Sequence, residues 1–158
     1  DAAPILAADK AALVRLLGIG RDGKKPRKDL VCAAQMLAHI RYFFDDWFKL
    51  EDPLPEAVSL TDAQTILRAY LAGYDGADDN SAWFAKVRDI ATANGYAARP
   101  KDYKKDPDAY KGHVGDVSAV IRLAVTGRSA SPDLWSVQQI MGENRVRDRI
   151  EKFLAHQA

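Results

Sequence analysis

Two stretches of this sequence bring together residue types that bind anions and stack on flat rings. The first, Arg21-Asp22-Gly23-Lys24-Lys25-Pro26-Arg27-Lys28, sets five cations and one acid in eight residues kept open by glycine and proline. Clustered cations release counterions from a nucleic acid backbone, and each phosphate contact adds about 0.7–0.9 to the salt slope of binding. A solvated loop is the plainer reading of the same residues. The second stretch runs from Ile121 to Trp135 and contains Arg122, Arg128, Ser129, Ser131, Pro132, Leu134 and Trp135. It reads as a helix end, an arginine-bearing turn and a new helix start, whose free N–H groups favour anions. Small hydroxyls beside an aromatic that lies off the apolar face suit hydrogen bonding and stacking with unpaired RNA bases.

Other constellations fail on spacing. Gly18-Ile19-Gly20-Arg21-Asp22-Gly23 spells G-x-G-x-x-G, but the dinucleotide fingerprint needs a strand before it and a helix N-terminus after it. Here a leucine-rich helical pattern precedes it and Lys24-Lys25-Pro26 follows, so it reads as an interhelix loop. His39 falls within a long apolar pattern and is expected to be packed. His113 and His156 have no carboxylate or cysteine at ligand spacing. Cys32 reads as a small buried residue. Asp45 and Asp46 are adjacent, so on a helix they point about 100° apart and cannot act as a facing acid–base pair. Phe43, Phe44 and Trp47 read as core. No catalytic residue and no metal site is expected.

The elements that must position these residues are helical. Apolar residues at i, i+3, i+4 and i+7 predict helices over 4–17, over 29–50 with Asp29 as cap, and after Thr61-Asp62-Ala63-Gln64 as a capping box. A further helix begins at Asn80 or Ser81 and ends at Asn94-Gly95 as a left-handed cap. A polar stretch over 97–111 precedes a helix closed by Gly127. Ser131-Pro132-Asp133 then reads as a start with Ser131 at the cap and Pro132 in the first turn. A short helix to Gly142 and a last one through Val146, Ile150, Phe153 and Leu154 complete an all-α chain. No period-2 strand appears. The Gly76–Asn80 segment suggests two helical sub-domains, 1–75 and 76–158.

Composition sets the outer bounds. The chain has 158 residues, 47% hydrophobic and 28% charged, enough apolar content for a folded core. No uncharged run approaches the roughly 18–20 residues of a membrane span, and no basic region followed by an apolar stretch suggests a secretion signal. A single cysteine forms no internal disulfide, and a reducing, cytoplasmic setting is the expectation. The first residue is Asp, not Met, as expected of a piece of a longer protein. Net charge is +1, but by position it divides into +4 over 1–44, −6 over 45–94 and +3 over 95–158. Segregated charge of this kind is what an electrostatic footprint looks like.

The two stretches, with their neighbours, carry a family resemblance. Gly23-Lys24-Lys25-Pro26-Arg27-Lys28-Asp29 with Arg41-Tyr42-Phe43-Phe44, then Lys111-Gly112-His113-Val114-Gly115-Asp116-Val117, Arg122-Leu123-Ala124-Val125-Thr126-Gly127-Arg128, Ser131-Pro132-Asp133-Leu134 and Ile140-Met141-Gly142-Glu143-Asn144-Arg145-Val146 resemble the C-terminal, anticodon-binding part of bacterial glutamyl-tRNA synthetases, a class I family. The R-x-A-V-T-G-R…S-P-x-L pattern is the specific part.

The resemblance implies an α-helical cage in two packed sub-domains that reads the anticodon loop of glutamate tRNA. Some members accept glutamine tRNA too. It places an anticodon-reading arginine at Arg27 and base contacts along 128–134. The implied contact set is Lys24, Lys25, Arg27, Lys28, Arg122, Arg128, Ser129, Ser131, Pro132, Leu134 and Trp135. The class I signatures resembling H-I-G-H and K-M-S-K-S are not found, so ATP, magnesium and glutamate chemistry would belong to a part outside these residues. The resemblance further implies a monomer with no membrane partner. Two other readings compete: a stand-alone helical protein-interaction module with an acidic face over 45–62, and the anticodon cage of a related class I lysyl enzyme.

Overall fold

A computed structural model describes residues 6, 7, 9–29, 32 and 35–156. Among them the α-helices follow in the order α1 Lys10–Gly18, α2 Met36–Ile40, α3 Leu60–Gly73, α4 Asn80–Ala93, α5 Pro100–Lys105, α6 Val114–Thr126, α7 Leu134–Met141 and α8 Glu143–His156. Among the described residues the only β feature is a single parallel bridge, Ala97 to His113, so the all-α expectation holds. α6 is the central helix, packed against α3, α4 and α8, while α7 joins α1 to α8. Eight of its thirteen residues are buried. A helix apolar nearly all round is one that neighbours surround. The buried side chains form one continuous cluster from Ala12 to Phe153.

Short polar side chains fix where the helices begin. Asp9, Ser59, Asp79 and Asp133 each accept a backbone N–H from the first turn, at α1, α3, α4 and α7. Three of these differ from the sequence reading. α3 starts at Ser59, not at a Thr61–Gln64 box, and Thr61 lends its carbonyl to Thr65 Oγ1. α4 is capped by Asp79, one residue before Asn80. α7 is capped by Asp133, while Ser131 Oγ donates to the Pro132 carbonyl. A carboxylate two residues nearer the apolar pattern displaces the serine, since it also favours the positive end of the helix dipole. At α6 a reciprocal box closes between His113, whose Nδ1 accepts from Gly115 N, and Asp116, which accepts from His113 N. His113 therefore has a carboxylate neighbour after all, in a capping role.

The largest difference is the long helix expected over 29–50. Helix α2 covers only Met36–Ile40, and 3₁₀ turns follow at Arg41–Phe43 and Asp45–Trp47, with extended backbone at Phe44 and Phe48. Residues 30, 31, 33 and 34 lie outside the described residues, as do residues 4, 5 and 8 of the first predicted helix. The break has a chemical cause. Arg149, 3% exposed, donates to the carbonyl of Tyr42 at 2.9 Å, to that of Val125 at 3.1 Å and to Asp45 Oδ1. Its guanidinium also lies 3.9 Å from the centre of the Phe48 ring. A carbonyl held by a side chain from α8 needs no N–H one turn onward. Phe43 and Phe44 are buried and Trp47 packs against them, as expected of core residues. Asp45 and Asp46 lie on a 3₁₀ turn, where Asp45 pairs with Arg149 and Arg145.

Candidate nucleic-acid interface

The turn after α6 is built by its own sequence. Thr126, fully buried, donates its hydroxyl to the Arg122 carbonyl at 2.8 Å and accepts from Arg128 N at 3.3 Å. Gly127 then turns the chain at φ +72°, and its carbonyl accepts from the backbone N–H groups of Glu51 and Asp52 at 2.8 and 3.2 Å. Arg128 pairs with Glu51 at 2.7 Å and donates to the Ala38 carbonyl at 2.7 Å. Ser129 donates its N–H and its hydroxyl to Asp52 Oδ2 at 2.7 and 2.6 Å. The 49–52 segment thus forms one wall of the turn.

The loop after α1 folds back on itself. Arg27 N donates to the Gly20 carbonyl at 2.9 Å, and Arg27 Nη1 to the Ile19 carbonyl at 3.1 Å. Arg21 bonds the carbonyls of Leu17 and Arg27. Asp29 accepts from both arginines and sits 3.9 Å from His39 Nδ1. It is their counter-ion, while the helix start expected of it falls on residues outside those described. Lys24, Lys25 and Lys28 are exposed. His39 is only half-buried and faces Asp29, and Cys32 is exposed. Both differ from the packed positions expected of them.

Loop and turn meet at a cleft of about 440 Å³ lined by Asp29, His39, Tyr42, Glu51, Asp52 and Arg128, together with Ala130, Ser131 and Pro132. Its size falls within the roughly 300–1,000 Å³ of small-ligand clefts. Of the residues singled out in the sequence, Arg128, Ser131 and Pro132 line it, and Ser129 and Arg27 hold its walls through Asp52 and Asp29. Arg122 lies partly buried on α6 with its Nε enclosed and without a hydrogen-bond partner, and Asp133 is the charge that acts on it. Trp135 donates Nε1 to the Asp78 carbonyl at 3.0 Å and packs against the core. Leu134 is buried at 2% exposure. The α7 N-terminus carries the Asp133 carboxylate, so it is not the open anion site the sequence suggests.

Electrostatics follow the pairing. The hydrogen bond from Arg27 holds the Asp29 carboxyl below its ordinary value, and the bonds from Ser129 do the same for Asp52. Burial pushes the Tyr42 phenol up, opposed by the nearby charges of Arg27 and Arg128. The segregated charge is therefore largely an internal complement: acidic Asp45 and Glu51 meet Arg149 and Arg128, and Asp62 meets Lys111. Glu51 and Asp52 carry no local signal as site residues, because each one's partner lies 77 residues along the chain. Among the described residues no group of His, Cys, Asp and Glu is placed to hold a metal ion, and no helix is long and apolar enough to cross a membrane.

Among its described residues the chain is all-helical, and residues 108–154 match the family described as "Anticodon binding domain". Over nearly its whole length the chain is homologous to the C-terminal region of the glutamate–tRNA ligases. It is 55% identical over 150 residues to the glutamate–tRNA ligase of Acetivibrio thermocellus, covering 95% of this chain and 28% of that protein. Identity to the ligase of Sorangium cellulosum is 43% over 156 residues, with 98% and 27% covered. For a ligase of Clostridium perfringens it is 39% over 155 residues, with 96% and 28% covered. The chain thus spans just over a quarter of the length of the curated relatives it matches. No solved structure gives a match.

Proposed function

We propose that this chain binds glutamate tRNA at its anticodon loop and selects it for charging with glutamate. The observation that carries this reading is the cleft at which the Gly18–Asp29 loop meets the 127–132 turn, with Lys24, Lys25 and Lys28 exposed on that loop. The lysines attract phosphate without regard to sequence. Arg128, Ser129 and Ser131, with Arg27 and Arg122, form the part able to tell bases apart. The cleft is lined from both the 1–75 and the 76–158 halves, so the two sub-domains grip the loop together. The chain acts as a monomer in the cytoplasm and charges no tRNA alone. ATP, magnesium and glutamate are handled by the remainder of a full-length ligase.

The test is titration of the chain with glutamate tRNA, with glutamine tRNA and with a glutamate tRNA of altered anticodon, at several salt concentrations. Tighter, salt-sensitive binding of the first is expected. Equal binding of the altered copy at physiological salt would rule out anticodon reading. Weaker binding of glutamine tRNA would mark the chain as a reader of glutamate tRNA alone.

A further inference from the structure

A second pocket opens between α3 and α4 and shares no lining residue with the cleft. Its volume is about 200 Å³, and Ala69, Trp83 and Ile90 give it mostly apolar walls. Two polar groups that line it have no hydrogen bond among the described residues. The Tyr74 hydroxyl is enclosed and unpartnered, on a residue only 5% exposed. Asp78 Oδ2 is enclosed as well, and Lys86 Nζ, 2.5 Å away, lies off the direction of a hydrogen bond. Neighbouring Tyr70 shows the contrast. Its hydroxyl accepts from Trp83 Nε1 at 2.7 Å and donates to Gln138 Oε1 at 3.0 Å. Buried polar groups are nearly always matched, and each exception calls for a reason.

The two groups differ in kind. Tyr74 is held in place by Tyr70, stacked at 5.2 Å, and by the Arg147 guanidinium, 5.5 Å from its ring centre. Burial first, and then the Glu143 charge, push its phenol up to about 12, so at neutral pH it keeps a proton to donate. The Asp78 carboxylate can only accept. A ligand that satisfies both must carry an acceptor beside a donor, as a carboxamide does. The space has room for more than one water, but apolar walls give water few partners, whereas an apolar ring would cover them. We propose that this pocket binds a small carboxamide, whose carbonyl accepts from the Tyr74 hydroxyl, whose N–H₂ donates to Asp78, and whose single ring packs on Trp83 and Ile90. A carboxylate ligand would meet Asp78 and Asp89 with only Lys86 to offset them. An ammonium ligand would leave the Tyr74 hydroxyl unmatched. The site stands independently of the tRNA reading.

The experiment is an NMR titration of the whole chain with benzamide, benzoate and benzylamine, which share a ring and differ in the head. Benzamide is expected to shift the Trp83 indole N–H with a Kd of about 1 mM, the range of so small a ligand. Benzoate and benzylamine are expected to bind roughly tenfold more weakly, for want of one matched hydrogen bond. Tyr74→Phe removes an unmatched hydroxyl, so its thermal unfolding midpoint holds or rises, yet it weakens benzamide and leaves benzylamine as before. Asp78→Asn weakens benzamide and lessens the exclusion of benzoate. Equal affinity for the three compounds, or benzamide binding that neither variant weakens, overturns the proposal. So does the absence of any shift at millimolar benzamide, which would leave the pocket to water.

Discussion

The carbonyl oxygen of Lys49 lies 2.0 Å from the point where a Cβ on Gly127 would sit. Gly127 also adopts φ +72°, a backbone state that costs an L-residue about 1–2 kcal/mol. Gly127→Ala must therefore both strain the turn and push the 49–52 wall away from it, at an expected cost of roughly 3 kcal/mol. Gly95 supplies the control, with φ +83° and only ordinary contacts to the Lys111 side chain, none nearer than 3.7 Å, where its own would go. Gly95→Ala should cost only the backbone term. Chemical denaturation of the two variants checks the difference, and equal losses would show that the Lys49 contact yields easily.

Arg149 replaces the helical hydrogen bonds that the 41–48 segment does not make. Arg149→Ala strands the Tyr42 and Val125 carbonyls and should cost about 2–4 kcal/mol, below the upper range for a buried pair because Asp45 is 56% exposed. Arg149→Lys should restore little, since a single ammonium cannot span the carbonyls and carboxylate that the planar fork reaches together. Thermal unfolding of both variants checks this. Full rescue by lysine would mean that charge, not geometry, is what the segment requires.

Acid should loosen the site. Asp29 and Asp52 titrate below their ordinary value of 3.8 because Arg27 and Ser129 bond their charged forms. Protons are then bound more readily by the unfolded chain, so this contribution is complete above about pH 4 and disappears as pH falls through the folded values. Asp62, bonded by Lys111, and Glu143, bonded by Arg147, act in the same direction. Unfolding midpoints should therefore drop as pH falls below about 4, and drop less in Asp52→Asn. An identical loss in that variant would place the acid sensitivity elsewhere.

Exposed lysines and anchored arginines should separate by salt. Lys24→Ala, Lys25→Ala and Lys28→Ala should each reduce the salt slope of tRNA binding by about 0.7 and weaken all tRNAs alike. Arg27→Ala and Arg128→Ala should instead relax discrimination between anticodons, by roughly 1–3 kcal/mol if each governs a base edge. Because both arginines also hold the cleft walls, their unfolding midpoints should fall, which the lysine variants would not show. Identical behaviour of all five would remove the division between phosphate and base contacts.

What the sequence reveals follows the range of the forces involved. Helices α6, α7 and α8 were legible because their apolar spacing and the glycines that end two of them are local. Cap positions shifted by one or two residues wherever a neighbouring acid competed, as at Asp79 and Asp133. The 29–50 segment misled because a row of buried aromatics resembles a helix face until a distant arginine takes its carbonyls. The basic loop and the arginine turn were found as separate stretches. The Glu51–Asp52 wall that joins them carries no short-range mark: each residue's partner lies 77 positions away.

The polar excursion between Ala97 and His113 leaves and returns through one small gate. Ala97 N donates to the Gly112 carbonyl at 2.9 Å, Val114 N to the Ala97 carbonyl at 2.8 Å, and Lys111 N to the Gly95 carbonyl at 3.0 Å. Beyond that gate α5 and the Pro107–Ala109 turn bury no side chain. Chain added there changes only the closure entropy of a loop whose ends are already pinned, about 0.6 kcal/mol for each doubling of its length. The excursion is thus a natural point for grafting a fluorophore tag or a tether, one that would report on RNA capture without entering the core.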